Sequence, residues 1–441
     1  MDRVTDRAPA PSPSPAETPV EAADGDARPL LAPLLSAEGQ ALLAELRDHD
    51  PAGELAVATR LRRDHPAELV SAALAQARLR QRAVAKFGAD DAYRMYFTPN
   101  GVEQATRGSV AAYRAARLRT LVAPPPPAPS PALDPAVRVT DLCCGIGGDA
   151  IELARAGFAV SAVDIDPLTC EIARTNLRTL VPGGPPATVT RADVREHDLS
   201  GAEVLFIDPA RRGGRGRIFN PEAYSPPLSW AIEAVRRVGT GAVKIAPGIP
   251  HELVPDDFEA EWISDGGDVK EAVLWHHRAV VPGTRRATLL TPGTPAAAPL
   301  TLTGRGLPDP PVRPVGRFLY EPDGAVIRAH LVAEVAEELA GGLVDATIAY
   351  ITADAARPTP YATGYEITDE LPFSLKRLKA LLREREVGVL TVKKRGSAVE
   401  PEELRRRMKL KGPHAATVFL TRVAGAPTML IGHPVERPDR P

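Results

Sequence analysis

Residues 139–150 read Val-Thr-Asp-Leu-Cys-Cys-Gly-Ile-Gly-Gly-Asp-Ala. An apolar stretch from Val137 to Asp141 runs into a turn carrying Gly145, Gly147 and Gly148, and an apolar-periodic helix follows from Ile151 to Arg155. A second apolar strand then ends in Val163-Asp-Ile-Asp166. Strand, glycine turn, helix and acid-tipped strand is the layout of a nucleotide-binding α/β unit. Glycines let backbone approach a ligand closely, and an acid at the second strand end can hold ribose hydroxyls. The fold class expected is therefore α/β, a Rossmann-like sheet.

The spacing argues against a dinucleotide. A pyrophosphate fingerprint wants G-x-G-x-x-G, whereas this turn is Asp141-x-x-x-Gly145-x-Gly147-Gly148. A carboxylate before the glycines repels phosphate and pairs with an ammonium group. S-adenosylmethionine carries an ammonium, a sulfonium and a ribose, and no phosphate. The third strand ends at Asp193, positioned to meet an adenine amino group, and the fourth ends in Leu205-Phe-Ile-Asp208-Pro-Ala-Arg211. Strand ends are where open α/β sheets bind ligands. The expected cofactor set is Asp141, Cys143, Gly145, Gly147, Asp164 and Asp193. Asp164 is preferred over Asp166 for the ribose, because Asp before Pro167 suits a helix cap.

The chain has 441 residues, 44% hydrophobic content and a net charge of −2, enough for two or three domains with real cores. Overall charge selects no partner. Three cysteines, two of them adjacent, make neither a disulfide framework nor a zinc pattern. No metal is expected. The first residues lack a signal-peptide core and no apolar run reaches membrane-spanning length, so a cytoplasmic protein is expected. Residues 1–35 read as a disordered tail rich in Pro, Ala and Ser, 36–122 as a helical domain, 132–305 as the α/β domain and 315–433 as a small α+β domain. Pro124 to Pro131 reads as a stiff linker.

The run from Asp141 to Gly157, continuing through Ala162-Val-Asp-Ile-Asp-Pro to Asn176, resembles class I S-adenosylmethionine-dependent methyltransferases, most closely the RNA cap guanine-N2 (trimethylguanosine synthase) family. Tyr96-Phe-Thr-Pro-Asn-Gly-Val-Glu-Gln-Ala-Thr106 is similar to that family's Thr-Pro segment, which packs on the cofactor side. The C-terminal region resembles the THUMP-like domain that follows some bacterial methyltransferases. The resemblance implies RNA as partner and methylation of a base nitrogen. It departs at the acceptor motif, where Asp208-Pro209-Ala210-Arg211 replaces a Pro-Pro-aromatic sequence. Asp208 and the Pro209 carbonyl can still accept hydrogen bonds from an amine. The Arg211 guanidinium can lie on a base, or Phe219 or Tyr224 can supply the ring. Catalytic candidates are thus Asp208, Pro209 and Arg211.

Asp-Pro-x-Arg also resembles RNA uridine-C5 methyltransferases, which need a cysteine nucleophile after the motif. Cys143, Cys144 and Cys170 all precede it, which excludes that chemistry. Ribose 2′-O-methylation remains open through Asp208, Lys244 and Glu271, with no obvious upstream lysine. Lys244 is equally readable as a solvent contact, and Lys270-Glu271 as an exposed ladder pair. His276-His277 reads as structural, since neighbours on a strand face opposite sides. The same cofactor residues would also serve a small-molecule or protein methyltransferase, or remain in a non-catalytic RNA-binding module.

Two segments are strongly basic. Arg211-Arg-Gly-Gly-Arg-Gly-Arg217 follows the fourth strand, and residues 376–411 hold 13 Lys/Arg against 5 Asp/Glu. Arginine clusters bind phosphate. Arg405, Arg406 and Arg407 form the densest patch.

Overall fold

A strand covered on both faces must be apolar on both. Arg138–Leu142 (β1) is buried at every residue after the first, and it lies inside a nine-stranded sheet, third from one edge. The computed structural model describes residues 31–122, 136–213, 216–217, 220–291 and 299–435, with side chains left out for 212–219. The Pro124–Pro131 segment, most of the N-terminal tail, Phe219 and the side chains of Arg212, Arg215 and Arg217 lie outside the described residues.

The chain opens with helices α1 (Ala32–Leu35), α2 (Ala37–Glu45), α3 (Glu54–Leu61), α4 (Ala67–Ala92), α5 (Pro99–Gln104) and α6 (Gly108–Val122). After β1 come α7 (Gly148–Arg155), β2 (Ala159–Asp164), α8 (Pro167–Leu180), β3 (Ala187–Arg191) and β4 (Val204–Ile207). The two-residue strands β5 (Arg212–Gly213) and β6 (Gly216–Arg217) form a small hairpin, followed by α9 (Leu228–Val238), β7 (Gly241–Ile245), β8 (Glu259–Asp265), β9 (Asp268–His276), β10 (Arg285–Leu290) and β11 (Leu300–Thr303). The remaining elements are β12 (Phe318–Pro322), α10 (Gly324–Arg328), α11 (Val332–Glu338), β13 (Gly342–Asp345), β14 (Ile348–Ala353), β15 (Ala362–Pro372), α12 (Leu375–Glu384), β16 (Val387–Lys394), α13 (Pro401–Met408), β17 (His414–Val423) and β18 (Ala426–Pro434).

The large sheet runs β11-β10-β8-β9-β7-β4-β1-β2-β3. β1, β2, β3, β4 and β7 are mutually parallel, while β9 is antiparallel between β7 and β8. This order sets the C-terminal ends of β1, β2, β4 and β7 side by side, at the point where the strand order reverses. That is the edge at which such sheets bind ligands. The second sheet, β13-β14-β12-β15-β18-β17-β16, is seven-stranded.

The first six helices do not stand apart from the large sheet. One hydrophobic cluster runs from Leu42 and Val70 through Phe97 to Val139, Ile151 and Phe158. The opposite sheet face buries Ile232 and Val235 of α9, and also Val326 of α10 and Val335 of α11. A third cluster, with Leu378, Leu382, Leu404 and Met408 over β16–β18, holds α12 and α13 on the smaller sheet. Among the described residues, no helix is long and apolar enough to cross a membrane.

Candidate active site

The glycine turn owes its shape to backbone that few side chains tolerate. Gly145 and Gly147 have φ of 55° and 84°, and Cys143 takes φ 62°, the left-handed region. A Cβ on Gly147 would stand 3.3 Å from Ala173 of α8, so the turn and α8 pack too closely for a larger residue. A cleft of about 550 Å³ opens above the turn, a volume suited to a small-molecule cofactor. Its floor and walls include Cys143, Gly145, Asp149, Asp164, Asp166, Asp208, Pro209 and Arg211, with Thr98 to Thr106 on one side.

The strand-end acids occupy different environments. Asp164 accepts from the Gly145 N–H at 3.0 Å through Oδ2 and from the Asp166 N–H at 3.0 Å through Oδ1, which fixes its rotamer at the cleft. Asp166 caps α8 by accepting from the Thr169 N–H at 2.7 Å, and it also lines the cleft. Of the expected cofactor set, Asp141, Gly147 and Asp193 are not among the lining residues. Arg195 grips Asp193 through side-chain and backbone bonds and holds its carboxyl down at about 2. Asp141 is fully buried, and neither carboxylate oxygen has a hydrogen-bond partner among the described residues. Burial first, then the charges of Asp149 and Asp208, push its pKa well above the ordinary carboxylate range.

Asp208 faces the cleft from the end of β4 and is paired behind. Its Oδ2 accepts from Lys244 Nζ at 2.6 Å, and Lys244 also donates to Thr106 Oγ1 at 2.7 Å. Lys244 is only 4% exposed, so it is an interior ion-pair partner and not a solvent contact. Glu271 is likewise buried. Its Oε1 lies 3.1 Å from Arg114 Nε, while Lys270 pairs with Asp268. The exposed-ladder reading of Lys270-Glu271 is thus corrected: Arg114, reaching in from α6, gives Glu271 a partner inside the protein. Tyr224 is also corrected as a stacking ring, being buried at 3% exposure and absent from the cleft lining. His276 packs edge-on against Phe258, and His277 Nδ1 accepts from the Ala279 N–H.

Arg114 is the residue that sequence reasoning missed. Its guanidinium is 2% exposed, contacts both Asp149 and Glu271 and lies 4.7 Å over the Phe206 ring. Burial opposes its charge, but Asp149 and then Glu271, Asp208 and Asp141 outweigh burial and keep it cationic. Four carboxylates (Asp141, Asp149, Asp208, Glu271) therefore share two buried cations, Arg114 and Lys244. A neighbouring α6 residue, Arg117, binds Glu259 and Glu261, locking the helix to β8. The signal in the sequence was an arginine pair at i and i+3 on an otherwise apolar helix face.

A cleft lined by Asp149, Asp164, Asp166 and Asp208, with the orphaned Asp141 carboxyl buried outside its lining, fits a cationic, phosphate-free cofactor. The sheet order, glycine turn and strand-end acids together define a class I methyltransferase. Comparisons with known proteins agree. An uncharacterized S-adenosylmethionine-dependent methyltransferase of Mycobacterium tuberculosis (strain H37Rv) is 34% identical over 371 residues, covering 82% of this chain and 95% of its own length, and its counterpart in strain CDC 1551 / Oshkosh matches equally. The chain belongs to the S-adenosylmethionine-dependent methyltransferases, and S-adenosylmethionine is its cofactor. A crystal structure from Porphyromonas gingivalis W83, of a protein assigned as a methyltransferase, shares the fold with a TM-score of 0.71 at 20% identity, over 90% of this chain and 98% of that one. Residues 362–434 match the family described as THUMP domain-like, and residues 28–83 match a domain of unknown function (DUF8688).

Proposed function

We propose that this enzyme methylates RNA by direct transfer to a base nitrogen. The observation that carries the reading is the position of Asp208 and Pro209 on the same cleft as the glycine turn. The cofactor supplies an electrophilic methyl on its sulfonium. The turn backbone at Cys143 and Gly145 cradles the methionine end, Asp141 opposes the ammonium through its field from beneath the cleft, and Asp164 takes the ribose. Asp208 and the Pro209 carbonyl accept hydrogen bonds from the two N–H groups of the target amine and turn its lone pair toward the methyl; as the sulfonium becomes a thioether, the proton shed by the methylated nitrogen leaves through the Asp208 carboxylate to solvent. Arg211 lays its guanidinium plane on the base. Rate acceleration comes mainly from holding acceptor and methyl in line. No thiol takes part. Burial, then the charges of Asp164 and Asp208, pushes the Cys143 thiol well up, so it lacks thiolate character. Methylation of bulk RNA with labelled cofactor, set beside peptides and a small-molecule extract, tests the substrate class. Label in the RNA alone is expected, and label only in the other two refutes the reading.

A second reading, 2′-O-methylation, draws on the grouping of Asp208, Lys244 and Glu271 on adjacent strands beside Arg114. Fragmentation of the product nucleoside separates the two, since the methyl leaves with either base or sugar.

Cofactor binding should release a proton. A raised carboxylate pKa means that free Asp141 holds a proton above the usual range, and a cationic ligand favours the ionised form. Affinity should therefore rise with pH through the raised value and then level off. The stability of the free protein moves the other way. The folded state binds the extra proton, so stability declines as pH climbs from the ordinary carboxylate range through the raised value. Calorimetry in buffers of differing ionisation enthalpy reads the released proton, and Asp141→Asn should abolish it. Equal proton release in Asp141→Asn and wild type would remove Asp141 from the site.

RNA as partner is supported by the THUMP domain-like match and by the charges on α12 and α13. Arg405 and Arg407 are tied to Glu402 and Glu403 within their own helix, so the densest run in the sequence is partly neutralised. Lys376, Arg383, Arg406 and Lys411 are exposed and have no ion pair among the described residues. Changing these four to Gln should flatten the log–log salt dependence of RNA binding by up to about 3, at roughly 0.7 per single-strand contact. Cofactor affinity should not change. An unaltered slope would make this face a solvated one.

A further inference from the structure

The lining of the cleft includes the end of β4 and α5, a helix from the N-terminal part of the chain. Thr98 caps α5 by accepting from the Gly101 N–H at 2.9 Å. Gly101 is pressed onto the glycine turn so tightly that a Cβ there would come within 2.5 Å of Ile146. The helix therefore turns its Gly101 face onto the glycine turn. Asn100 and Gln104, one helical turn apart, are separated by about 40° around the helix axis. They form a stripe directly beside the Gly101 contact. Both amides line the cleft, both are exposed, and neither makes a side-chain hydrogen bond among the described residues. Facing the same space is Arg211, whose Nη1 is buried with no partner among the described residues.

Resting on the RNA reading above, we infer that α5 is the element that selects the target base. Asn100 and Gln104 read its polar edge, and Arg211, which lines the same cleft, lies on it. An amide offers a carbonyl acceptor and two N–H donors, the inventory that pairs with the donor and acceptor edges of a nucleobase. Two amides a turn apart can engage two edge positions of an unstacked base, which is how single-stranded RNA is distinguished. A phosphate or a plain alkyl acceptor would leave half of these groups unmatched. The cofactor's charges are met elsewhere, by the acids on the turn and strand ends. The N-terminal helices thereby enter the reaction through specificity: they carry α5 as well as Arg114, and Thr106 at the end of the same segment anchors Lys244 behind Asp208.

The test uses the full chain with Asn100→Ala, Gln104→Ala and the double variant. Cofactor affinity is measured by calorimetry, and turnover with labelled cofactor on RNA from cells lacking the enzyme. The double variant should keep its cofactor Kd within about twofold and lose at least about tenfold in kcat/KM, the scale of one lost specific contact of about 1–3 kcal/mol. Its labelled RNA should also yield methylated nucleosides that the wild type does not produce. A tenfold weaker cofactor Kd with unchanged turnover at saturation would assign the amides to the cofactor pocket and overturn the inference. Wild-type kcat/KM and an unchanged nucleoside product in the double variant would overturn it too, leaving the RNA reading intact. A wild-type protein that labels no RNA would end both.

Discussion

Asp208→Asn should fold normally and lose about 10²–10³ in kcat, the range for removing a preorganised group that acts in the transition state. The amide oxygen still accepts from Lys244 Nζ, now 2.6 Å from the carboxylate, so the interior cation keeps a partner. The cleft side loses the negative charge that draws the protons of the acceptor amine. On the proposed assignment, in which Asp141 opposes the cofactor ammonium and Asp208 does not, cofactor Kd should stay within about twofold. The loss should appear in kcat and kcat/KM together, as for an interaction made in the transition state. Asp208→Ala is the less clean substitution. It leaves Lys244, 4% exposed, with Thr106 alone, and an unpaired buried charge costs stability in its own right. Steady-state kinetics with the Asn variant decide the point, and a kcat within threefold of wild type would remove Asp208 from the chemistry.

The elements legible in the sequence were those whose signal is local. β1, the glycine turn and α7 are contiguous, and their period and punctuation name them. The observed strand at Arg138–Leu142 lies where the apolar run from Val137 to Asp141 pointed. What local signal cannot carry is which distant residues meet. Arg114 contacts Asp149 across 35 positions and Lys244 reaches Thr106 across 138. The apolar helix face singles out Arg114 but names no partner for it, and nothing near Lys244 points to Thr106. Glu271 looked like half of an exposed pair because its neighbour is Lys270. Its burial follows from β9 running antiparallel between β7 and β8, which sets it beneath α6. Asp193 shows the converse case. Its position at a strand end was legible, and the grip of Arg195 two residues on was not. The division into helical and α/β parts was drawn at the proline-rich stretch, yet a single core passes from α4 to β1.

Arg114→Met should lower folding stability by about 3–5 kcal/mol, the usual cost of removing one partner from a buried charge cluster. The methionine fills the stem of the side chain, so the loss is electrostatic more than volumetric. Asp149 and Glu271 would face each other across the vacated site, with Asp208 and Asp141 near enough to add repulsion. Glu271, already pushed up by burial and held down by Arg114 and then Lys244, would take up a proton. The variant should therefore regain stability as pH falls, opposite to the trend for a protein whose carboxylates are well paired. Arg114→Lys should lie between the two, because a single ammonium cannot reach both carboxylates with a fork geometry. Urea midpoints at several pH values report both effects. A midpoint for Arg114→Met equal to that of wild type at neutral pH would show that the cluster is not balanced through this residue.

The central claim is that Asp208 directs methyl transfer from S-adenosylmethionine to RNA. Its most direct test is mass spectrometry of nucleosides from the total RNA of three strains: one lacking the gene, one complemented with wild type and one complemented with Asp208→Asn. One methylated nucleoside should vanish with the gene, return with the wild-type chain, stay absent with the Asn variant and carry its methyl on the base. Identical nucleoside profiles in all three strains would contradict the claim.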